Sequence, residues 1–339
     1  MNLTLKDIAQ ALEISTSTVS KALKNYKDVS PTTKKKVLDY AERIGFKPNA
    51  QAAFLRTQKT KLIGVILPKI EHDLYCEVLK GILNKMSQTD YKLILLCSEN
   101  SFEIEKKHIR ELLQLNVDGI FISIALETNR FDHLKEVQKS NTILVLFDHY
   151  VKIIATNRVL IEDRKASFLA TEHLIQQGCQ KIGCFRGELI SQTSIDRFMG
   201  YKDALEYYKI PFQKELILIC NEETIAEGKR NMIEILEKKL EIDGLVTVTD
   251  LIALGAMDVL KQKRVKIPEE IAVVGFGNWK FTSLISPSLS TIDQNGFLMG
   301  EKVFELFEKS QEDTLLNELP NTEILPFQLV VRGSSCRKK

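Results

Sequence analysis

Short, continuous apolar runs alternate with longer amphipathic stretches from residue 62 to residue 276, and this alternation restricts the fold strongly. The runs are LIGVIL, KLILLC, GIFISI and TILVLF at 62–67, 92–97, 119–124 and 142–147, then KIGCF, LILIC, GLVTV and IAVVGF at 181–185, 216–220, 244–248 and 271–276. Strands that are apolar on both faces and separated by helices form parallel sheets covered by helices. The two groups of four runs therefore predict two α/β lobes with two parallel sheets.

Loops at the carboxyl ends of parallel strands meet between two such lobes, and small ligands bind there in α/β proteins. The loop after the first run offers His72, Asp73 and Tyr75, and Asp148 and His149 follow the fourth run. The tryptophan in VVGFGNWKF follows the last run, where its ring would either stack on a sugar or simply pack. The pattern predicts a small-molecule site at these strand ends.

The first 46 residues follow a different pattern, which is typical of three short helices. Thr4 and Asp7 form a capping-box pattern, Ser15 caps the second helix, and Ser30 followed by Pro31 starts the third. Apolar residues at helical spacing supply the inner faces: Ile8, Ala9 and Leu12, then Val19, Ala22 and Leu23, then Val37, Leu38, Ala41 and Ile44. Two helices joined by a tight turn and braced by a third make a helix-turn-helix unit.

The second helix begins with four hydroxyl residues in a row, at 15–18. Because packing fixes the apolar residues of this helix, Thr16, Ser17 and Lys21 face outward, with Ser20 nearby. Hydroxyls at a helix N-terminus can bond base edges or phosphates, and the helix dipole favours the negative DNA backbone. The alternative is that the first serine caps the helix and the other hydroxyls are only solvated.

The charge of the chain is distributed unevenly. Residues 1–61 hold 12 Lys and Arg against 5 Asp and Glu, whereas the rest of the chain holds 35 against 40. A basic segment next to an acidic remainder indicates a partner for the basic part, with nucleic acid as the first candidate. The alternative is a basic surface without a function.

The segment FKPNAQAAFLRTQKTK at 46–61 places Phe54 and Leu55 in a basic linker. Its helix-forming stretch is too short to be stable alone in water. An apolar wedge pressed between base steps in the minor groove would explain the two apolar residues, and folding would then be coupled to DNA binding.

These sixty residues resemble the N-terminus of the LacI/GalR family of bacterial transcription repressors, through T-x-x-D-I-A, S-x-x-T-V-S-[RK]-x-L and the hinge pattern Y/F-x-P-N-x-x-A-x-x-L. The resemblance implies that Thr16, Ser17 and Lys21 read bases, and that Thr4, Ser15, Ser20 and Asn25 contact phosphates. It also implies DNA contacts by the hinge, through Asn49, Ala52 and the minor-groove wedge Leu55. Two departures weaken the parallel: Lys21 replaces a commoner Arg and lacks its bidentate fork, and Ala53 stands where many members have Arg.

The same family carries a two-lobed periplasmic-binding-protein fold as its sensor, in which the chain crosses between lobes three times. The implied fold class is an all-α helix-turn-helix head (1–47), a hinge helix and linker (48–60) and a two-lobed α/β domain (61–333). We expect crossings near residues 160, 290 and 320. Lobe 1 would then hold about 61–160 and 291–319, and lobe 2 about 161–290 and 320–333.

The resemblance adds candidate effector contacts. Arg197 matches the family pattern R-x-x-G-[FY]-x-x-A-L and could grip hydroxyls or a carboxylate, or be a surface charge of a helix. Asp250 matches N-D-x-x-A-x-G and would bind ligand or cap its helix. The family commonly has two Asp where Gly277 and Asn278 stand, and Gly277 cannot grip sugar hydroxyls, so the effector chemistry is not transferable. A sugar or sugar derivative remains the default effector, and its predicted contacts are Asp73, Tyr75, Asp148, Arg197, Asp250 and Trp279.

Other classes of function lack their signatures. The chain has no dinucleotide fingerprint, no P-loop and no zinc-protease or nucleophile-elbow motif, and a general base at His72–Asp73 is strongly disfavoured. The five histidines lack metal-ligand spacing, and the six cysteines form no C-x-x-C pair. We expect no catalytic residue, metal or cofactor, a cytoplasmic location, and no membrane contact, because no signal segment or bilayer-length apolar run is present.

The predicted assembly is a homodimer on a pseudo-palindromic operator in double-stranded DNA, controlled by a small-molecule effector. The segment 74–86 would contribute to the dimer face, although its apolar residues could equally serve the lobe core. The C-terminus lacks the leucine heptads of a tetramer. The rival to a regulator is a free solute-binding protein, and an activator acting through the same head is harder to separate from a repressor.

Overall fold

The computed structural model describes residues 4–23, 25–46, 59–312 and 320–337. The chain divides into two compact units, Met1–Thr60 and Lys61–Lys339. The predicted hinge contacts Asn49, Ala52 and Leu55 lie outside the described residues. Within the described ranges, every helix is too short or too polar to span a lipid bilayer.

The first unit contains three helices, α1 (Leu5–Ala11), α2 (Thr16–Leu23) and α3 (Pro31–Arg43). Their starts follow the predicted caps. The Asp7 carboxylate accepts the Thr4 backbone N–H at 2.7 Å, Ser15 Oγ accepts from the Thr18 backbone at 3.1 Å, and Ser30 Oγ accepts from the Thr33 backbone at 3.2 Å. These bonds satisfy backbone groups that a helix end leaves without partners.

The core of this unit contains the predicted apolar positions with one exception. Ile8, Val19, Ala22 and Val37 are fully buried or nearly so. Leu38, predicted to belong to the buried stripe of α3, is 49% exposed. Successive residues of a helix point about 100° apart. Because α3 buries Val37, the next residue, Leu38, lies at the edge of the buried face and is open to solvent.

The first lobe is built on a six-stranded sheet in the order β11-β5-β4-β3-β1-β2, and every described pair is parallel. Its strands are β1 (Leu62–Leu67), β2 (Lys92–Cys97), β3 (Gly119–Ile122), β4 (Ile143–Phe147), β5 (Asn157–Ile161) and β11 (Thr322–Leu325). Its helices are α4 (Asp73–Met86), α5 (Phe102–Gln114), α6 (Asp132–Gln138) and α11 (Gly296–Glu312).

The second lobe has a sheet in the order β12-β10-β9-β8-β6-β7, which is parallel except that β12 runs antiparallel to β10. Its strands are β6 (Ile182–Gly187), β7 (Ile217–Cys220), β8 (Gly244–Thr247), β9 (Ala272–Phe276), β10 (Ser290–Asp293) and β12 (Gln328–Val330). Its helices are α7 (Asp163–Gln176), α8 (Gln192–Tyr207), α9 (Ile225–Glu237) and α10 (Asp250–Gln262), with 3₁₀ turns at Lys214–Leu216 and Lys280–Ser283. The prediction of two parallel-dominated sheets is confirmed.

The strand pairing corrects two of the expected crossings. The first crossing falls at Glu162, between β5 and α7. The second falls at residues 294–295 instead of 290, because β10 pairs with β9 and so belongs to the second lobe. The third falls at residues 326–327 instead of 320, because β11 pairs with β5 and remains in the first lobe.

Helix α4 lies directly against α11, and glycines make this approach possible. A Cβ on Gly300 would lie 1.9 Å from the Val78 carbonyl oxygen, and one on Gly81 would lie 2.0 Å from the Phe297 carbonyl oxygen. The apolar face of α4 is buried here, and Leu83 is the large apolar side chain of this helix that stays well exposed. The sequence left two roles open for residues 74–86, a dimer face or packing in the lobe core. The structure shows packing in the lobe core.

Candidate functional sites

The N-terminal end of α2 carries a connected group of hydroxyls. Ser15 Oγ lies 2.7 Å from Ser17 Oγ and 2.8 Å from Thr18 Oγ1, in addition to capping the helix. Thr16 and Ser17 are exposed, and Ser20 is half-buried. The structure therefore presents hydroxyls at the positive end of a helix, where base edges or phosphates could accept or donate hydrogen bonds.

Lys21, on the same exposed face, forms an ion pair with Asp28. This contact raises the pKa of the Lys21 ammonium and lowers the pKa of the Asp28 carboxyl. Both side chains are about half exposed, so the pair is weak and can exchange for a contact with phosphate. Two of the predicted phosphate contacts, Thr4 and Asn25, are also exposed.

Arg197 is buried at the cleft between the two lobes, so its alternative reading as a surface charge is wrong. Its Nε donates to Asp163 Oδ1 at 2.7 Å, and its Nη1 donates to the Val248 carbonyl at 3.1 Å. Its Nη2 lies 3.7 Å from Asp148 Oδ1. The guanidinium lies 3.8 Å from the centre of the Phe276 ring, a cation–π contact.

Asp148 lies opposite this arginine and accepts hydrogen bonds from the first lobe and from the crossing at residues 294–295. Tyr75 Oη donates to its Oδ2 at 2.9 Å, and Gln294 Nε2 donates to its Oδ1 at 3.3 Å. Burial acts to raise the pKa of the Asp148 carboxyl, but the nearby His149 and Arg197 charges outweigh it and lower the pKa below its ordinary value. Burial raises the pKa of Asp163 to about 6, against the opposing effect of Arg197.

Polar atoms without hydrogen-bond partners converge on the cleft. Within the described ranges, eight buried side-chain polar atoms have no partner, and five belong to cleft residues: His72 Nδ1, His149 Nδ1, Arg197 Nη2, Thr249 Oγ1 and Trp279 Nε1. Leaving such an atom unpaired costs about 1–3 kcal/mol. This clustering is the pattern expected where a polar ligand supplies the missing partners.

Two adjoining cavities define the space at these atoms. The inner one, of about 10 Å³, is lined by His72, Tyr75, Asp148, His149, Arg197, Glu223, Thr249 and Gln294 among others. The outer one, of about 550 Å³, is lined from both lobes and shares His72 and Glu223 with the inner one. Trp279 lines the outer cavity, where its ring also packs edge-on against His72 with centroids 4.7 Å apart. The outer volume is in the range of small-molecule pockets.

Four predicted effector contacts, Tyr75, Asp148, Arg197 and Trp279, line these cavities, whereas two do not. Asp73 Oδ2 accepts the Lys280 backbone N–H at 2.8 Å. Asp250 accepts the Trp279 backbone N–H at 2.8 Å and the Thr291 hydroxyl at 2.6 Å, and burial raises its pKa to about 6. Both carboxylates therefore hold the loop after β9 in place.

The strand ends also supply lining residues that sequence reasoning missed. Thr249 follows β8, Glu223 follows β7 and Gln294 follows β10, while Asp163 follows β5 and orients Arg197. The rule that cleft residues follow strands applies to all four. Applying it to every strand, including those without an apolar run, would have found them.

Gly277 has φ +127°, a region that favours glycine. A Cβ at this position would lie 3.1 Å from the Trp279 ring. The adjacent Asn278 is held by Arg332 at 2.7 Å and by Asp293 at 3.0 Å. Gly277 therefore contributes no side chain to this loop, and the Trp279 indole packs beside it.

The head exposes a hydroxyl-rich helix, and the same chain carries a two-lobed α/β unit with a polar cleft. Together these features define a DNA-binding regulator that senses a small molecule. The family model for bacterial regulatory proteins of the lacI family matches residues 4–49. The model for periplasmic binding proteins and the sugar binding domain of the LacI family matches residues 60–318. The chain therefore belongs to the LacI family.

Individual relatives agree over nearly the full length. The chain is 30% identical to the HTH-type transcriptional regulator RegA of Clostridium saccharobutylicum, over 99% of this chain and 100% of RegA. It is 30% identical to catabolite control protein A of Priestia megaterium, over 95% of this chain and 97% of that one. A solved lac repressor dimer, bound to operator and the anti-inducer ONPF, aligns over 99% of this chain and 100% of that one with a TM-score of 0.86. Its identity of 21% supports the fold alone.

This membership confirms the predicted class of function. The protein is a DNA-binding transcriptional regulator with an effector-binding sensor domain, and not an enzyme. The rival reading as a free solute-binding protein is wrong, because the DNA-binding family model covers the head.

Proposed function

We propose that the protein is a repressor that binds a pseudo-palindromic operator as a homodimer and whose affinity for that operator is set by a small molecule bound between its lobes. The single observation that carries the effector site is the set of five buried, unpartnered polar atoms at the cleft. A sugar derivative suits them, because its hydroxyls both donate and accept hydrogen bonds. Since its target is the chromosome, we place the protein in the bacterial cytoplasm.

Related regulators support this choice. They include the ribose operon repressor of Halalkalibacterium halodurans, and solved structures of a LacI-family regulator with bound ribose and of a CelR–cellobiose complex. The lac repressor structure is a dimer on its operator. We infer the same assembly here, with two heads on two half-sites related by a two-fold axis.

In the head, we propose that Thr16, Ser17 and Lys21 read bases. The surrounding Thr4, Ser15, Ser20 and Asn25 would hold phosphates. These positions are supported by the exposure and hydrogen bonding of α2 and its flanks. Asn49, Ala52 and Leu55 complete the proposed DNA contacts from the hinge.

In the sensor, Asp148 supports coupling between ligand and lobe closure. This first-lobe residue meets two groups of the second lobe: its carbonyl accepts the Thr193 hydroxyl at 2.6 Å, and its carboxylate lies 3.7 Å from Arg197 Nη2. Gln294, at the crossing between the lobes, also donates to the carboxylate. A ligand that bonds the unpartnered atoms of both lobes stabilises the closed arrangement. The ligand can then change operator affinity only to the extent that it binds the closed arrangement more tightly than the open one.

The test begins with a selection of bound duplexes from random DNA, followed by a metabolite screen for altered affinity for the selected sequence. We expect a pseudo-palindrome and at least one metabolite that shifts operator affinity. Arg197→Ala should abolish the response to that metabolite while the free protein keeps its operator affinity. Arg110→Ala, at an exposed arginine of α5, is the matched control and should leave both properties unchanged.

Arg197→Ala leaves two buried carboxylates without their guanidinium, so a milder variant is needed beside it. Trp279→Phe removes one N–H donor and retains an aromatic ring. A response to the metabolite that survives both substitutions in folded protein would place the effector elsewhere. Absence of any salt-sensitive preference among duplexes would overturn the proposed operator binding itself.

A further inference from the structure

The outer cavity is strongly acidic on both of its sides. Its lining includes Glu71, Glu99 and Glu127 from the first lobe and Glu188, Glu222 and Glu223 from the second. Lys69 is the basic residue among the lining residues, and it already pairs with Glu99 at 3.0 Å. Within the described residues, five of these six glutamates form no ion pair: Glu71, Glu127, Glu188, Glu222 and Glu223. Glu127 accepts the Phe102 backbone N–H at 3.3 Å, whereas the side chains of the other four accept no hydrogen bond there.

A second, independent observation shows that this acidic space is built for a ligand. The buried side chains of His72 and Trp279 line the same cavity, and His72 Nδ1 and Trp279 Nε1 have no hydrogen-bond partner among the described residues. His72 is 8% exposed and Trp279 is 5% exposed. An indole N–H only donates, so the ligand must present an acceptor to it.

The charges decide which ligand can close the cleft. Carboxylates on opposite lobes repel each other, and this repulsion grows as water leaves the space between them. An anionic ligand adds to the repulsion, and a neutral one leaves it unchanged. A cationic ligand converts it into attraction toward both lobes.

We propose that the effector carries a protonated amine, which lies among these glutamates, together with hydroxyl or carbonyl oxygens, one of which accepts the Trp279 N–H. Amine-bearing sugars and related hydroxylated amines have this chemistry. The inference rests on the proposed function, namely that the cleft binds the effector. A bare metal ion does not meet the same requirement, because no group of three or more His, Cys, Asp or Glu in the described ranges is arranged to hold one.

The experiment compares ligands that differ in charge on the same framework. A set of hydroxylated amines is titrated calorimetrically into the full-length protein, each beside its N-acetyl derivative and its carboxylate counterpart. Glucosamine, N-acetylglucosamine and glucuronate form one such triple, and calcium chloride alone is a further arm. We expect at least one amine to bind, to shift operator affinity, and to bind on the order of tenfold or more tightly than its neutral and anionic counterparts.

Glutamate variants test whether the amine binds in the outer cavity. Replacement of Glu71, Glu188, Glu222 and Glu223 by Gln should weaken binding of that amine on the order of tenfold, in folded protein that still binds the operator. The control replaces four exposed glutamates outside the cavity, Glu206, Glu215, Glu237 and Glu269, and matches the change in net charge. It should bind the amine like the original protein.

Each other outcome rejects a defined claim. The charge inference is wrong if no amine binds better than its N-acetyl partner, if both quadruple variants weaken binding equally, or if calcium alone gives the glutamate-dependent binding. In those cases a neutral or anionic metabolite that binds the cleft and shifts operator affinity leaves the proposed function intact. If no metabolite of any charge shifts operator affinity, the proposed function fails instead.

Discussion

The ion pair between Lys21 and Asp28 holds a proposed base-reading side chain in the DNA-free head. Asp28→Asn removes the partner, and it also removes a negative charge close to the DNA phosphates. We expect the variant to bind the selected operator about threefold more tightly, since exposed pairs of this kind are weak. Fluorescence anisotropy titrations at several salt concentrations would measure the affinity and its salt dependence.

Asp28→Asn both removes a negative charge from the head and releases Lys21 from its ion pair, so a control has to separate these two effects. Asp39→Asn, at an exposed acidic residue of α3, removes the same charge from the head without an ion-pair partner of Lys21. It should change affinity less than Asp28→Asn. Equal gains from both substitutions would show that the ion pair itself is irrelevant to binding.

Recognition of a strand predicted only some of the cleft residues that follow it, because Glu223 and Thr249 were missed although the apolar runs before them were recognised. Tyr75, Asp148 and Trp279 follow apolar runs and line the cavities as expected. Gln294 was missed, because it follows the strand STID, which is not a continuous apolar run. The structural roles of Asp73 and Asp250 depend on the path of the loop after β9, which local sequence does not specify.

Helix pairs in this fold depend on close backbone approach, and α4 with α11 offers a direct test. Gly300→Ala would place a Cβ 1.9 Å from the Val78 carbonyl oxygen, so the two helices must separate. We expect a loss of about 1–3 kcal/mol in the free energy of unfolding, as for other overpacked cores. Urea denaturation followed by circular dichroism would measure it.

Gly183→Ala is the matched control for this helix pair. Gly183 is buried in β6, but its nearest neighbour would lie 3.5 Å from the new Cβ, an ordinary contact distance. The control should lose clearly less stability than Gly300→Ala. If the two variants are equally stable, the helices are not held by close packing at the glycine.

The eight apolar runs became strands β1 to β4 and β6 to β9, with bounds that differ by at most two residues. The remaining four strands were not recognised from apolar runs. β11 and β12 lie at sheet edges and are largely half-buried or exposed, so they need no continuous apolar sequence. Pairing partners, and with them the second and third crossings between lobes, depend on contacts between residues distant in sequence.

The two lobes are joined by direct bonds that a ligand would reinforce, and Lys280 makes two of them. Its backbone N–H binds Asp73 at 2.8 Å, and its Nζ lies 2.7 Å from Glu77 Oε1 on α4. These contacts connect the first lobe to the loop after β9 of the second. They favour the closed arrangement in which the cleft residues of both lobes meet.

Lys280→Glu would place two carboxylates against each other across the lobes and favour the open arrangement. The proposed effector would then spend part of its binding free energy on closure, so its apparent affinity should fall about fivefold, the effect of about 1 kcal/mol. The double variant Glu77→Lys with Lys280→Glu restores opposite charges and should recover most of the loss. Calorimetry gives the affinities, and small-angle scattering reports lobe opening. If the charge-swapped pair binds no better than Lys280→Glu alone, this contact does not control closure.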